Sequence, residues 1–197
     1  MNWYEKLNEY FPVEEMKSKE HMDLLLKEKS DVYIKDESSK HVLMYAEFES
    51  FIFIDYVWVS TQTRGQGIGH KLIEKLKSKG KPIILEVEPV DYEDTDTEKR
   101  LKFYQKEGFE HAHSIGYTRR SLATNELNQM EILYWSPEHE SEESIFEKMK
   151  ELYVNIHTYK DKELYGESYQ PVEEVLTINE DPDSKNILES IATPEKA

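Results

Sequence analysis

The stretch RGQGIGHKL, residues 64–72, places glycines at 65, 67 and 69 directly before an apolar pattern with helical spacing. Glycine has no Cβ to hold a ligand away and reaches positive φ without strain, so such a run lets main-chain amides close on a bound group. At the N-terminus of a helix, unpaired amides and the helix dipole together favour an anion, and a pyrophosphate suits the geometry. Familiar phosphate loops do not fit. Counting from Gly65 the sixth position of G-x-G-x-x-G is His70, and counting from Gly67 it is Leu72, and no Lys-Ser or Lys-Thr pair follows a glycine at the P-loop offset. Tight turns and close helix packing also consume glycine, so a packing-only origin stays open on spacing alone.

The surrounding elements must deliver that loop to a site. Ahead of it, DVYIK, HVLMYAEF and SFIFIDYVWVS are strand candidates rich in β-branched and aromatic residues, closely spaced as in an antiparallel meander. Behind it, Ile68, Leu72, Ile73 and Leu76 share one helical face that ends near Gly80. IILEVE then reads as a strand buried on both faces, and a helix carrying Leu101, Phe103 and Tyr104 stops at Gly108. Strands are expected around 111–117 and 130–135 with an irregular connection between, and a last helix runs from Glu142 to His157. Two short helices open the chain, one interrupted by Pro12.

Composition narrows the chemistry. The 197 residues include no cysteine, which excludes disulfides, thiolate metal sites and a cysteine nucleophile. A net charge of -16 disfavours binding nucleic acid through phosphate neutralisation. The charged N-terminal stretch is unlike a secretory signal and no apolar run approaches a membrane span, so a cytoplasmic protein with no membrane partner is expected. One domain over 1–157 is expected, followed by an acidic extension, 158–197, that docks through Leu164, Tyr165, Tyr169, Val175 and Leu176 and frays beyond Asp181.

Arg64-x-x-Gly67-x-Gly69, preceded by IDYVWVSTQT and followed by HKLIEKL, resembles the acetyl-coenzyme-A-binding motif of the GCN5-related N-acetyltransferase (GNAT) superfamily. RLKFYQKEGF, residues 100–109, is similar to the tyrosine-bearing helix of the same superfamily. The resemblance implies an α/β (α+β) acyl-CoA N-acyltransferase fold: a mixed central sheet with splayed parallel strands and flanking helices. It implies acetyl-CoA as cosubstrate, no metal, and transfer to a primary amine by direct attack in a ternary complex. The pyrophosphate would lie on the loop Arg64, Gly65, Gln66, Gly67, Ile68, Gly69 and His70, and the pantetheine arm along Val57, Trp58 and Val59. Tyr104 would protonate the departing thiolate, although spacing alone favours its packing on the sheet as Leu101 does. Many relatives carry an asparagine after the second parallel strand, where this chain has EPVDYEDTDTEKR.

An amine acceptor needs a route for its proton. Glu86 and Glu88 share a strand face, as do Glu47 and Glu49, and Asp55 lies on the strand before the loop; Glu86 is the chosen base because its strand is otherwise apolar. His111 and His113 could point to the acceptor end without a third metal ligand, whereas His21, His41, His139 and His157 are expected at the surface. Arg119 and Arg120 could bind a substrate carboxylate or be solvated. Trp58 and Trp135 read as sheet-packing aromatics, and Trp135 with Tyr117 could instead line the cleft. The last helix could form a homodimer contact. The other reading kept open is a noncatalytic CoA-binding or sensor module of the same fold.

Overall fold

The computed structural model describes residues 1–89, 95–179 and 184–191. Helices α1 (Trp3–Tyr10) and α2 (Lys19–Glu28) lead into strands β1 (Tyr33–Glu37), β2 (His41–Glu47) and β3 (Ile52–Val59), then α3 (Ile68–Lys77), β4 (Ile83–Val87) and α4 (Thr95–Lys106). Strands β5 (Glu110–His111), β6 (Ile115–Arg120) and β7 (Leu127–Trp135) follow, then α5 (Glu142–Leu152), a π turn (Tyr153–His157), α6 (Asp161–Tyr165), α7 (Val172–Val175) and β8 (Leu176–Ile178). The sheet order is β1-β2-β3-β4-β7-β6-β8, with β5 also on β7. Among the described residues only β3 and β4 are parallel, as the α3 crossover between them requires. This is the mixed sheet with flanking helices that the sequence predicts.

Each face of the sheet carries its own apolar layer. Val42, Met44, Phe51 and Phe53 pack on Leu7, Met22 and Leu25 of α1 and α2 and on Ile145, Met149 and Leu152 of α5. Leu43, Ile52, Ile54, Ile83 and Leu85 pack on Leu72, Ile73 and Leu76 of α3 and on Leu101 of α4. The stripes that predict these helices therefore face the core as a period of 3.6 demands.

Two irregularities shape the centre. Parallel pairing of β3 with β4 covers only Ile52 to Ile54 against Ile83 to Leu85. At that point the β2–β3 register slips, so that Met44 opposes Tyr56 while Tyr45 opposes Ile54, and Asp55 is the extra residue. A bulge bends its strand and adds twist, which turns β3 away from β4. It also breaks the alternation of faces: Asp55 and Tyr56 both reach the α1–α2 side, and Val57 and Val59 are thereby returned to the α3 side.

Asp55 reaches that layer as a buried charge, and its partners are built in. Lys17 Nζ donates to Oδ1 at 2.7 Å and the Tyr33 hydroxyl donates to Oδ2 at 2.6 Å. Tyr56 ties the same corner, accepting from the Lys17 amide at 2.9 Å and donating to the Glu15 carbonyl at 2.8 Å.

Residues expected to form a docked extension complete the sheet. β8 pairs with β6 through Ile115 to Tyr117, and Val175 and Leu176 are buried. A Cβ on Gly116 would stand 2.6 Å from Thr177 Oγ1, so the close approach of β8 requires glycine there. Leu188 and Ile191 also pack against the α3–α4 layer. Of the end expected to fray beyond Asp181, residues 182–183 and 192–197 lie outside the described residues. The expected irregular connection, residues 119–129, is strand at both ends, because Tyr117 to Arg120 pair with Leu127 to Met130 as a hairpin, and is irregular only between them. Among the described residues no helix is long and apolar enough to cross a membrane.

Breaking the buried pair on one side should be costly. Lys17→Met should lower unfolding free energy by about 3–5 kcal/mol, because it leaves Asp55 uncompensated in the core. Adding Asp55→Asn should recover much of that loss, and equilibrium denaturation of the single and double variants measures both.

Candidate active site

Where β3 and β4 part, a cavity of about 520 Å³ opens between α1, the two strands, α3 and α4. Its upper wall is the glycine loop. Gly67 caps α3 with φ 75° and supplies no side-chain cap, and Gly65 also has a positive φ. The Arg64 and Gln66 amides bond to Thr61 and Thr63 carbonyls, whereas among the described residues the amides of Gly65, Gly67, Ile68, Gly69 and His70 find no acceptor. Those unpaired donors and the positive end of the helix dipole face the cavity mouth. Gly69 serves packing as well: a Cβ there would lie 3.1 Å from the Phe103 ring, so glycine lets α3 approach α4.

Of the residues expected to hold a coenzyme, Val57, Val59, Arg64, Gly65, Gly67, Ile68, Gly69 and His70 line this cavity. Gln66 and Trp58 do not. The Gln66 amide is spent on the turn, and the bulge directs Trp58 to the opposite layer beneath Lys6. The mouth is cationic: Lys99 and Arg100 of α4 join Arg64 there. The guanidinium carbons of Arg64 and Arg100 stand 5.3 and 5.6 Å from the Tyr10 ring centre, which fixes both against the end of α1.

Tyr104 lines the cavity from α4, its ring edge-on to Phe103 and Phe109. Burial pushes its hydroxyl up to about 12. It is a phenol that keeps its proton, with packing and cavity-facing roles in one side chain.

Glu86 also borders the cavity, but its carboxylate is the hub of a buried cluster on the α5 side. The Tyr117 hydroxyl donates to Oε1 at 2.8 Å, His157 Nε2 donates to the same oxygen, and Arg119 Nε stands 3.4 Å from Oε2. Burial would raise its pKa, yet His157 and Arg119 together hold it well below the usual carboxylate range. Burial keeps His157 below its ordinary value and hence neutral at pH 7, so Arg119 is the permanent countercharge. A carboxylate held ionised in this way is a weak base, which counts against the role expected of Glu86. The surface placement of His157 and His21 is corrected too, since both are buried. His21 Nε2 donates to the Ile156 carbonyl and Nδ1 accepts from the Tyr165 hydroxyl, each at 3.0 Å. Arg119 is likewise buried, and therefore not a solvated member of a basic pair.

Other expected candidates lie elsewhere. His111 donates from Nε2 to Glu131 at 2.8 Å and accepts the Ile187 amide at Nδ1, a structural arrangement. Glu47 bonds Lys79 and Lys81 at the far end of β2. Trp135 packs in the α3–α4 layer under Lys77, and Tyr117 is occupied by Glu86. His70, Glu74 and Glu107 bring possible metal-ligand atoms within 4.8 Å of one another, but Lys77 faces both carboxylates at 3.0 and 3.7 Å, which makes a surface ion cluster.

A family model described as "Acetyltransferase (GNAT) domain" matches residues 28–111, the span from β1 through the glycine loop to β5. "Putative acetyltransferase YjbC" of Bacillus subtilis (strain 168) is 67% identical over 192 residues, covering 98% of this chain and 100% of that protein. The chain belongs to the GNAT acetyltransferase family. A solved structure, "Putative acetyltransferase from GNAT family from Bacteroides thetaiotaomicron", shares the fold with a TM-score of 0.60 at 21% identity, over 84% of this chain and 90% of that one.

Sequence reasoning about this GNAT chain missed Glu15, Tyr10, Phe11 and Arg100, all of which line the cavity. Glu15 sits in a short 3₁₀ turn, Val13–Glu15, and its Oε1 is buried with no donor facing it among the described residues. Burial, and then the charge of Glu88, push its carboxyl up to about 8. No periodic pattern marks this residue; the only sequence signal is the Pro12 break that takes it off α1.

Neutral buried histidines give a signed pH prediction. Burial holds His21 at about 3, far below its unfolded value near 6.5, so the unfolded chain takes up that proton first as pH falls. The contribution is complete above pH ~6.5 and is lost progressively toward pH ~3. Denaturation midpoints should therefore fall from pH 7 to pH 5, with a shallower fall in His21→Gln, and equal slopes would contradict the assignment.

Proposed function

We propose that this GNAT acetyltransferase transfers an acetyl group from acetyl-coenzyme A to a primary amine by direct attack in a ternary complex. The observation that carries the reading is the set of unpaired amides at the bare N-terminus of α3, opening on a cavity that continues between two parting strands. Gly65, Gly67, Ile68, Gly69 and His70 would hold the pyrophosphate by their amides, with Arg64, Lys99 and Arg100 supplying countercharge. Among the described residues no strand pairs with β3 on its β4 side beyond Ile54, so the main chain from Val57 to Val59 would be available to the pantetheine arm as a further strand partner.

The transfer requires an amine with a free lone pair to attack the thioester carbonyl carbon, and the C–S bond then breaks to a thiolate. Tyr104 is a hydrogen-bond donor for the charge that grows on sulfur, because its raised pKa keeps the phenol protonated through neutral and mildly alkaline pH. The same high pKa weakens the drive for complete proton transfer to a thiolate, so stabilisation by the hydrogen bond is its main contribution.

Two measurements test this. Calorimetry with acetyl-coenzyme A should show saturable binding, weakened at least about tenfold by Gly67→Val, because a β-branched residue does not adopt φ 75° without strain and crowds the anion path. Tyr104→Phe should lower turnover about tenfold to a hundredfold with little change in coenzyme affinity. Binding without thiol release across an amine panel would instead favour a noncatalytic sensor.

A further inference from the structure

Two of the four arginines in the chain, Arg119 and Arg120, have a polar partner: Arg119 Nε stands 3.4 Å from Oε2 of Glu86, and Arg120 donates from Nη1 to the Asn125 carbonyl at 2.9 Å. Arg64 and Arg100 differ. Both line the cavity mouth, and among the described residues neither forms an ion pair. The carboxylates that border the same mouth are engaged by other cations, Asp96 by Lys99 at 3.0 Å and Glu107 by His70 at 3.0 Å and Lys77 at 3.7 Å.

What holds these two arginines is aromatic. The guanidinium carbons of Arg64, from the loop before α3, and of Arg100, from α4, lie 5.3 and 5.6 Å from the centre of the Tyr10 ring, and Arg100 lies 5.6 Å from the Phe11 ring as well. Tyr10 ends α1 and Phe11 follows it; the two rings meet edge to face at 4.9 Å, and both line the cavity. The ring pair is itself anchored. Leu7, one turn earlier in α1, is fully buried, and Phe11 stands edge-on at 5.2 Å to Tyr56, whose hydroxyl bonds the Lys17 amide and the Glu15 carbonyl. The corner made by the β3 bulge therefore fixes the rings, and the rings fix the arginines.

A carboxylate and an aromatic ring hold an arginine in different ways. The carboxylate cancels the charge and occupies the N–H donors, so a phosphate would first have to displace it. The ring attracts the cation through its quadrupole and leaves the charge and the in-plane donors free for an anion. Two guanidiniums gathered on one ring also repel each other until an anion neutralises them.

We propose that Tyr10, assisted by Phe11, is a positioning residue for the coenzyme, holding the guanidiniums of Arg64 and Arg100 at the mouth, charged and without a carboxylate partner, so that the coenzyme phosphates meet them already in place. This deepens the acetyl-transfer reading above and rests on it. Tyr10 needs no bond of its own to the ligand. Its contribution is the side-chain freedom that two long cations no longer lose when the phosphates arrive. The end of α1, which precedes the whole glycine loop in the chain by more than fifty residues, thereby becomes part of the phosphate site.

Calorimetry with acetyl-coenzyme A tests the assignment. Tyr10→Leu should weaken binding about tenfold, and Tyr10→Phe, which keeps the ring, by no more than about threefold. Because the effect runs through the arginines, the Tyr10→Leu loss should shrink to about threefold in Arg64→Gln and in Arg100→Gln; an undiminished loss in both backgrounds overturns the proposal. Phe11→Leu gives a second cycle should Tyr10→Leu fail to fold. Phe11 meets Arg100 and not Arg64, so its loss should disappear in Arg100→Gln and persist in Arg64→Gln, and the same loss in both backgrounds refutes a role through Arg100. With an amine that is turned over, Tyr10→Leu should raise the coenzyme KM and leave kcat at saturating coenzyme unchanged, whereas a lowered kcat at wild-type KM overturns positioning. Wild-type affinity in Tyr10→Leu sinks this proposal alone. No binding of acetyl-coenzyme A by the wild-type protein would instead sink the acetyl-transfer reading on which it rests.

Discussion

The site depends on where two parallel strands stop being hydrogen-bonded. β3 and β4 pair from Ile52 to Ile54 and then separate at the bulge that Asp55 inserts. Had the register continued, the main-chain groups from Val57 to Val59 would be satisfied inside the sheet and the space between the strands would be closed. Separation exposes polar backbone, which is tolerable only where water or a ligand reaches it. The cavity meets that condition. The bulge also resets the parity of β3, so one inserted residue both opens the gap and turns Val57 and Val59 toward it.

Holding that bulge costs buried charge. Asp55 is matched by Lys17 from the α1–α2 connection, and Glu86 is matched by Arg119 from β6 with His157 from the π turn as a neutral donor. Replacing such pairs by apolar residues is often neutral or stabilising, so they are weak evidence for stability. Their use here is positional. Each links an element from a different part of the chain to one of the two parting strands, so the gap has a defined width instead of collapsing under its apolar walls. Among the described residues, Oε1 of Glu15 in the same cavity has no donor.

Legibility in the sequence followed the range of the interaction. The α3 and α5 stripes, the glycine-rich loop and the strand candidates from 31 to 59 depend on contacts at fixed short spacing, and the structure places them as predicted. The bulge is invisible in FIFIDYVWV because alternation of apolar residues there is already blurred by aromatics. β8 was read as a docked tail since three residues, Leu176 to Ile178, are too few to show a period of two. Burial of His21, His157 and Arg119 depends on partners more than a turn or hairpin away, with His21 meeting residues 135 and 144 positions along the chain. Glu86 was correctly placed near the cavity, but the partners that hold it ionised, His157 and Arg119, come from other elements and leave no local signal.

Acetyl transfer to an amine demands opposite proton behaviour at its two ends, and the environments around the cavity support such a division. On the α4 side, Tyr104 is enclosed by Phe103 and Phe109 with Arg100 and Tyr10 at its edge, and burial dominates, so the phenol remains a donor. On the α1–α2 side, burial and then Glu88 raise the Glu15 carboxyl to about 8. Groups whose surroundings drive their pKa values apart are the natural holders of acid and base roles. Glu86 lies closer in sequence to the parting strands than Glu15, yet its surroundings push it the wrong way for this purpose. Proximity to the gap therefore does not set a carboxyl's proton affinity; the countercharges bonded to it do.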